Sequence, residues 1–465
     1  MKKRKFAALA ASLAMTAAMT AMAVPAAAQA ATTYSTTPTT DSVLTTTFDK
    51  YLVMKEEANV PNAGFIFTVA PGTAVSATNT TLAVVPGVGT PVLKYNDTAL
   101  TGNKLTFSTA DSTTVEPSDK TDSPIKFATN AIGDEKYVQK TVTIDFSGVT
   151  FTEPGVYRYI ITETGDTQNQ SITNDFSNDA NGVRTLDVYV EDAGSVVESG
   201  TDQGKPQLRV KGYVMYNGLQ STGPNKDKTT EDETTVPNGA EVTGATKNDT
   251  ITNFYPSQNL TFGKAVKGNQ GSKDKYFEFT LVISGIKADN TLISVDVTNA
   301  DATLPTTINS ATDSSFAGKT NPASLVANTS QTAYTVTKNE TSGEYTITAK
   351  YYLQHGQYIT VMGIPQGAHY SISETADDYV STAGIKAEDS PINYDGVDGF
   401  DALIDKVEDD IEDEDIYTGY TNERKGTIPT GILSTVGGSV ALAAVGIAGI
   451  AGGAMYLKKK KSEED

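Results

Sequence analysis

The sequence predicts an all-β protein made of two tandem immunoglobulin-like β-sandwich domains. Short runs rich in Thr, Val, Tyr, Ile and Phe, such as 142–146 and 157–161, alternate between apolar and polar residues. This period of two is typical of half-buried strands, and Gly, Asn, Asp and Pro separate the runs as turn residues do. Only 400–411 has spacing that could be helical. A series of motifs that occurs twice along the chain divides the strands into two units.

The composition limits the classes of function. The chain has 465 residues, a net charge of −20, no cysteine and two histidines. The negative charge argues against nucleic-acid binding, and the lack of cysteine excludes disulfide stabilisation. No Ser–His pair or glycine-rich phosphate loop is present, so we expect neither an enzyme nor a bound cofactor or metal.

The first 30 residues have the pattern of a secretory signal peptide. A basic segment at 2–5 precedes an apolar segment at 6–24, and Ala28-Gln29-Ala30 supplies a small-residue cleavage site. Residues 31–45 are rich in Thr, Ser and Pro, which predicts a flexible lead-in. The sequence therefore predicts an exported protein whose folded part begins near residue 46.

An internal repeat defines domains at 46–256 and 257–424, joined at Pro256. The segment TFDKYL at 47–52 recurs as TFGKAV at 261–266, and each is followed by a Phe-x-Phe strand. A segment ending in Glu-Thr occurs at 154–164 and again at 365–375, and each unit closes on a Thr-Asn strand. The repeated polar residues are a lysine, a glutamate and an asparagine in that order: Lys50, Glu163 and Asn253, then Lys264, Glu374 and Asn422.

Strand parity places the repeated lysines and glutamates on apolar faces. Alternate residues of a strand share a face, so Lys50 lies with Phe48 and Leu52, whereas Lys55 and Lys267 have the opposite parity and should be solvated. Burial lowers the pKa of a lysine and raises that of a glutamate, so such a pair can become neutral. A neutral amine beside an Asn side chain can attack the carboxamide and expel ammonia, with Glu relaying protons. Individually, the residues could instead be a snorkelling Lys, a strand-end Glu and a turn Asn.

In this combination the two units resemble the streptococcal pilin isopeptide-linkage domain, and 356–374 also resembles the Cna-B-type domain of collagen-binding proteins. The resemblance implies intramolecular Lys50–Asn253 and Lys264–Asn422 isopeptide bonds, with Glu163 and Glu374 as catalytic proton relays. Glu163 and Asn253 are farther apart along the chain than Glu374 and Asn422. We therefore expect an insertion or extra strands around 195–243.

The C-terminal residues 425–465 have the pattern of a cell-wall sorting signal. Ile428-Pro429-Thr430-Gly431 precedes an almost uncharged segment at 432–457, long enough for a membrane-spanning helix, and a tail at 458–465 that begins with four lysines. A permanent single-span anchor is the alternative. The motif resembles sortase substrates, and in particular the Val-Pro-Thr-Gly variant of T-antigen-type pilins. The resemblance implies attack by a sortase cysteine on the Thr430 carbonyl, and leaves open whether a pilin-specific or a housekeeping sortase acts.

Together these resemblances imply a structural subunit, expected to be the shaft, of a covalently linked pilus on a Gram-positive cell wall. The expected partners are a sortase, further copies of the chain joined head to tail, a peptidoglycan precursor and minor pilins. In T-antigen-type pilins the linking lysine lies a little upstream of the bridging Asn, which implies Lys247 here. Lys205, Lys211, Lys226 and Lys228 are alternatives. A monomeric wall-anchored adhesin is the competing interpretation.

Overall fold

A computed structural model describes residues 32–115, 135–164, 172, 182–226, 247–287, 292–299, 316, 318–387 and 406–427. The predicted signal peptide and the sorting motif with its apolar segment and basic tail lie outside these residues. Within the described ranges, no helix is long and apolar enough to cross a membrane. The all-β prediction is confirmed, because almost all of the regular secondary structure in the described residues is strand.

Among the described residues, twelve strands form the N-terminal sandwich, and a 3-10 turn, Thr101–Asn103, lies between β5 and β6. The strands are β1 (Thr45–Lys55), β2 (Ala63–Pro71), β3 (Val85–Pro86), β4 (Val92–Tyr95), β5 (Thr98–Ala99), β6 (Lys104–Phe107), β7 (Thr114–Val115), β8 (Glu135–Asp145), β9 (Gly155–Thr164), β10 (Val183–Val196), β11 (Pro206–Asn217) and β12 (Thr250–Tyr255).

These strands build two facing sheets. Sheet I has the order β12-β1-β8-β4-β5, with β7 also paired to β8, and sheet II has the order β11-β10-β9-β2-β6, with β3 also paired to β9. The first and last strands of the unit, β1 and β12, are adjacent and parallel. The first and last strands of this sandwich therefore lie side by side at one edge of sheet I, and the chain enters and leaves at opposite ends of this strand pair.

In the C-terminal sandwich, the part of the chain that the structure describes contains eleven strands. They are β13 (Ser257–Lys267), β14 (Phe277–Ile286), β15 (Leu292–Asn299), β16 (Ser324–Val326), β17 (Tyr334–Lys338), β18 (Tyr345–Leu353), β19 (Gln357–Pro365), β20 (His369–Glu374), β21 (Val380–Ala387), β22 (Lys406–Asp410) and β23 (Ile416–Glu423). Sheet III has the order β16-β15-β19-β13-β23-β21 and sheet IV the order β17-β18-β14-β20-β22. Again the first and last strands of the unit, β13 and β23, are adjacent and parallel.

The two cores are built by the same alternation of side chains. Inward-facing residues such as Phe48 and Phe67 pack edge to face across the N-terminal sandwich with ring centroids 5.0 Å apart. Phe262 and Phe279 pack at the corresponding place in the C-terminal sandwich, 5.8 Å apart. Because a Phe side chain buries a large apolar area, these pairs fix the spacing between the sheets beside the repeated lysines.

The region of the expected insertion, 195–243, contains the end of β10, the whole of β11 and the segments that follow each of them. β10 and β11 form a long hairpin, and β11 extends sheet II beyond β10. In sheet IV, β22 pairs with β20 and is itself an edge strand. The described part of the N-terminal unit thus carries one more strand at this edge.

The lead-in differs from the expectation of a flexible segment. The backbone N–H groups of Ser35, Thr39 and Val43 donate to carbonyls of 206–210, in β11. The Ser35 hydroxyl donates to Asp202 at 3.0 Å, and Ser35 is buried. The residues are polar but short, so they can supply strand-like hydrogen bonds to an otherwise open sheet edge. The composition alone did not reveal this edge.

The prediction that Lys55 is solvated is also wrong. Its side chain is only 15% exposed and lies between the sandwiches, where Nζ is 2.9 Å from Asp415 Oδ1 and also contacts Gln258. Strand parity correctly directs Lys55 away from its own core. The second sandwich covers that outer face, which single-strand reasoning cannot foresee.

Candidate functional site

The first set of predicted residues comes together inside the N-terminal sandwich. Lys50 projects inward from β1 of sheet I, and Glu163 projects from β9 of sheet II to meet it. Lys50 Nζ lies 2.5 Å from Glu163 Oε2, and neither side chain is exposed to solvent. The same Nζ lies 4.2 Å from the centroid of the Phe65 ring. The amine is therefore enclosed by a carboxyl group and an aromatic wall.

Asn253 is placed beside Lys50 by the parallel pairing of β1 and β12. In that register Ile251 is level with Lys50, and Asn253 is level with Leu52. Residues two apart on a strand share a face, so Asn253 projects into the same core as Lys50. Asn253 is completely buried. The strand order thus brings the first and last polar residues of the unit to one place.

The second set has the same arrangement in the C-terminal sandwich. Lys264 on β13 contacts Glu374 on β20 of the opposite sheet, with both side chains fully buried. Lys264 Nζ lies 4.2 Å from the centroid of Phe277. Tyr420 is level with Lys264 and Asn422 is level with Val266, which is the offset of two residues seen in the first set.

In this second set the Glu374 carboxyl also accepts hydrogen bonds from two neighbouring side chains. Asn422 Nδ2 donates to Glu374 Oε1 at 3.0 Å, and the Ser381 hydroxyl donates to Glu374 Oε2 at 3.1 Å. Glu374 therefore touches both the lysine and the asparagine. A single group in contact with both reactants is placed to move a proton from one to the other.

Burial drives this pair toward its neutral forms. Desolvation lowers the pKa of Lys264 to about 8, against the opposing effect of Glu374. Desolvation also raises the pKa of Glu374, and outweighs the opposing effects of Lys264, Ser381 and Asn422. The charged pair loses the solvation of two ions, which contact between them only partly restores. A neutral amine next to a carboxylic acid is the form that can react.

The geometry supports one reaction. The Lys264 Nζ attacks Cγ of Asn422, the Nζ–Cγ bond forms and the Cγ–Nδ2 bond breaks. The protonated Glu374 gives its proton to the departing nitrogen, which leaves as ammonia, and takes up the proton that the attacking amine loses. Lys50, Glu163 and Asn253 have the residue types for the same steps.

Sequence reasoning missed the aromatic wall of each site and the Ser381 contact. Phe65 and Phe277 lie under the lysine amines, and the second Phe of each motif pairs with the glutamate in register, Phe67 with Glu163 and Phe279 with Glu374. The repeated Phe-x-Phe motif carried this signal, because alternate residues of one strand must face the same core. No repeated pattern marks Ser381.

Lys247 lies outside both buried sets, at the open edge of the N-terminal sandwich. It forms an isolated backbone bridge with Tyr216 and lines a groove of ≈510 Å³ that Lys211 also lines. Val43, Thr45–Thr47, Gly212–Met215, Asn248 and Asp249 complete the groove. Of the other candidate lysines, Lys205 pairs with Asp202 at 2.6 Å and Lys226 contacts the Thr78 carbonyl. Lys228 lies outside the described residues.

The chain leaves the C-terminal sandwich directly toward the sorting motif. β23 ends at Glu423, and the Asn269 side chain then holds the backbone of Gly426 through hydrogen bonds of 2.9 and 3.0 Å. Ile428, Pro429, Thr430 and Gly431 follow, outside the described residues. The last tethered residue is thus close in sequence to Thr430.

Two family models match separate parts of the chain. Residues 90–213 match the Spy0128-like isopeptide containing domain, a range that includes Glu163 but neither Lys50 nor Asn253. Residues 258–399 match a domain of unknown function, DUF7601, a range that includes Lys264 and Glu374.

Known proteins similar to the chain include streptococcal pilins. A pilin of Streptococcus pyogenes serotype M1 is 25% identical over 423 residues, which cover 90% of this chain and 91% of that protein. The crystal structure of the major pilin from Streptococcus pyogenes is matched at 19% identity and a TM-score of 0.43, over 82% of this chain and 99% of that one. The T3.2 major pilin of the same organism is matched at 19% identity and a TM-score of 0.38, over 82% and 100%. The resemblance predicted from the repeated residues is confirmed: the chain is similar to a streptococcal pilin over nine tenths of its length, and it carries a Spy0128-like isopeptide containing domain.

Proposed function

We propose that the chain is the shaft subunit of a sortase-assembled pilus, and that a Lys–Asn isopeptide bond closes each of its sandwiches. The observation that carries the proposal is the duplicated arrangement of Lys, Glu, Asn and Phe, with the same two-residue offset in both units. The similarity to a pilin along most of both chains supports the pilus role. The protein is a structural subunit, and its chemistry is limited to cross-linking itself.

The two proposed bonds suit a protein that must bear tension. Each bond joins the first strand of a sandwich to the last, and these strands are already neighbours. Tension applied along the chain then passes through the covalent link, and the strands between are spared. In this cysteine-free chain, the isopeptide bonds supply the covalent stabilisation that disulfides give other exported proteins.

Assembly requires an acyl donor and an amine. A sortase cysteine cleaves between Thr430 and Gly431 and holds the chain as a thioester at Thr430. A lysine of another copy then attacks that thioester, which extends the pilus head to tail, and a peptidoglycan precursor ends the polymer on the cell wall. Lys247 is the lysine we assign, since it lines an open groove beside the edge strand β11. The lead-in and Lys247 cover the two ends of the β11 edge, and an extended segment of another copy can enter the groove between them.

The pilus proposal is tested on wall digests of the native host. Denaturing gels probed for this chain should show a ladder of high-mass species. A single band of monomer size would overturn the shaft assignment and favour a monomeric wall-anchored adhesin.

Lys247→Arg and Lys211→Arg form a matched pair for the linkage, because both lysines line the same groove. Arginine keeps the charge but is not a competent nucleophile at neutral pH. Lys247→Arg should abolish the ladder with monomer secretion unchanged, and Lys211→Arg should leave it intact. The reverse pattern would move the linkage to Lys211.

A further inference from the structure

A second buried lysine stands next to the reactive one in the N-terminal sandwich only. Lys140 on β8 is directly opposite Lys50 on β1 in the antiparallel register, so both side chains enter the core from the same face of sheet I. Residues in direct opposition have Cβ atoms about 5 Å apart. The Lys140 side chain is 8% exposed and that of Lys50 is fully buried.

The Lys140 side chain is surrounded by groups that attract an ammonium ion. Its Nζ lies 2.7 Å from Asp111 Oδ1 and donates to the Thr106 carbonyl at 2.7 Å. The same Nζ lies 4.8 Å from the centroid of Phe107 and 5.2 Å from that of Tyr95. A carboxylate, a carbonyl and two ring faces all stabilise an ammonium group. Asp111 is 20% exposed, so solvent partly screens its charge.

The C-terminal sandwich has a neutral residue in this position. The ladder between β13 and β19 ends at the pair Gly263–Tyr358, and the next residues along the two strands are Lys264 and Gln357. Gln357 is buried, and its side-chain hydrogen bonds go to Gln354. The C-terminal amine does not face a second lysine, and burial already lowers the pKa of Lys264 to about 8.

Other groups around Lys50 do not replace Lys140. Glu163 faces it from β9 and Asn253 from β12, and both are reactants in the proposed cross-link. Arg184 on β10 is a second fully buried cation, and its guanidinium donates to the carbonyls of Val183 and Thr250, but it lies in sheet II and is not paired in register with Lys50. Lys140 is thus the cation that shares a register position with the nucleophile.

We propose that Lys140 is a positioning residue for the N-terminal cross-link: its fixed positive charge disfavours protonation of the neighbouring Lys50 and so keeps Lys50 a nucleophile. Because Lys140 is engaged by Asp111, Lys50 is the one of the two adjacent lysines that attacks Asn253. The Lys50 Nζ–Asn253 Cγ bond forms, the Cγ–Nδ2 bond breaks and ammonia leaves. This inference rests on the proposed isopeptide chemistry.

The test follows both bonds in one molecule. The chain from residue 32 to 430 is recovered unfolded, shown by intact mass to be unbridged, and refolded by dilution into buffers from mildly acidic to mildly basic. Samples quenched in denaturant are digested, and the Lys50–Asn253 and Lys264–Asn422 cross-linked peptides are quantified over time. The variants are Lys140→Gln, which copies Gln357, Lys140→Met, which fills the same space without charge, and Lys140→Arg, which keeps the charge.

Lys140→Gln and Lys140→Met should slow the N-terminal bond at neutral pH, with the loss recovered as pH rises. A unit charge about 10 Å away at an effective dielectric of about 20 changes a protonation equilibrium roughly tenfold, and partial neutralisation by Asp111 reduces this to about threefold. Lys140→Arg should behave as the wild type, and the C-terminal bond should keep its rate in every variant.

Equal rates in wild type and both uncharged variants would overturn the inference, as would slowing by the same factor at every pH, which indicates a packing defect. If one of the two uncharged variants fails to refold, the test rests on comparing the remaining uncharged variant with Lys140→Arg. Absence of the Lys50–Asn253 peptide from the wild type would instead refute the proposed function at this site.

Discussion

At the scale of the residue, Lys264 and Glu374 are unfavourable as ions but well placed as reactants. Both are buried in a sandwich core, and desolvation moves the pKa of each toward the neutral form. Amide formation with Asn422 converts the Lys264 amine into a neutral amide nitrogen. Glu374 then remains in the core as a neutral carboxylic acid. The reaction therefore relieves an arrangement that costs folding free energy.

The rate of C-terminal bond formation should rise with pH through about 8. Below that value most Lys264 amines carry a proton and cannot attack, because burial lowers the pKa of Lys264 only to about 8. Burial raises the pKa of Glu374, so its carboxylic acid form persists to higher pH than that of an exposed glutamate. Refolding unbridged chains across this range and quantifying the Lys264–Asn422 peptide measures the profile. A rate that falls from mildly acidic pH to pH 8 would contradict this mechanism.

Glu374→Gln removes the proton relay while keeping the shape and hydrogen-bonding ability of the side chain. We expect no Lys264–Asn422 bond in this variant, and a loss of about 5 kcal/mol of stability by the chain-entropy model for a closed loop of more than 100 residues. Ser381→Ala is the matched control, since it removes a hydrogen bond to the same carboxyl and should still cross-link. Chemical denaturation measures the stability, and bond formation in Glu374→Gln would exclude Glu374 as the relay.

At the scale of the element, Tyr420 joins the bond-bearing strand β23 to sheet IV. Its hydroxyl donates to the Ile372 carbonyl at 2.8 Å and accepts the Val407 N–H at 3.2 Å, and the residue is buried. In the Glu374→Gln background, Tyr420→Phe should cost about 1–3 kcal/mol, because two buried backbone groups lose their partner. Urea unfolding monitored by fluorescence measures this, with Tyr351→Phe on β18 as the control, because the buried Tyr351 hydroxyl makes no hydrogen bond in the described structure. A cost within 0.5 kcal/mol of zero would show that the hydroxyl does not tie the sheets.

Much of the site followed from the sequence because a strand has a fixed period. The parity of Lys50 and Lys264 correctly predicted inward side chains, and the repeat correctly predicted that each unit has its own set. The partners of each lysine across the sheet did not follow, since register depends on how distant strands pair. Lys140 went unnoticed for this reason, although its own strand is strongly alternating. The covering of Lys55 by the second sandwich depended on packing between units.

At the scale of the whole molecule, polar contacts hold the sandwiches together. Asp415 Oδ1 accepts from Lys55 Nζ at 2.9 Å and from the Asn259 N–H at 2.8 Å, and Asn59 donates to Ser294 at 2.7 Å. Gly363, at φ +78, lies against Ala58, and an added Cβ would come within 3.1 Å of the Ala58 Cα. Pro256 is the single residue between β12 and β13. We expect the units to tumble as one body.

Lys55→Met should loosen this junction without unfolding either sandwich. A partly exposed ion pair contributes about 1 kcal/mol or less, so the thermal stability should change little. The relative motion of the units should increase, which NMR relaxation reports as two different rotational correlation times. Lys267→Met, at the end of β13, is the control and should leave a single correlation time. A single time in both variants would show that Lys55 is not needed for the rigid junction.

The central claim is that each sandwich carries one Lys–Asn bond, and intact mass tests it most directly. The folded chain from residue 32 to 430 should weigh less than its sequence by two molecules of ammonia, and Glu163→Gln and Glu374→Gln should each weigh less by only one, apart from the substitution itself. Fragmentation should place the links at Lys50–Asn253 and Lys264–Asn422. A mass equal to that of the plain sequence, in protein shown to be folded, would contradict the account.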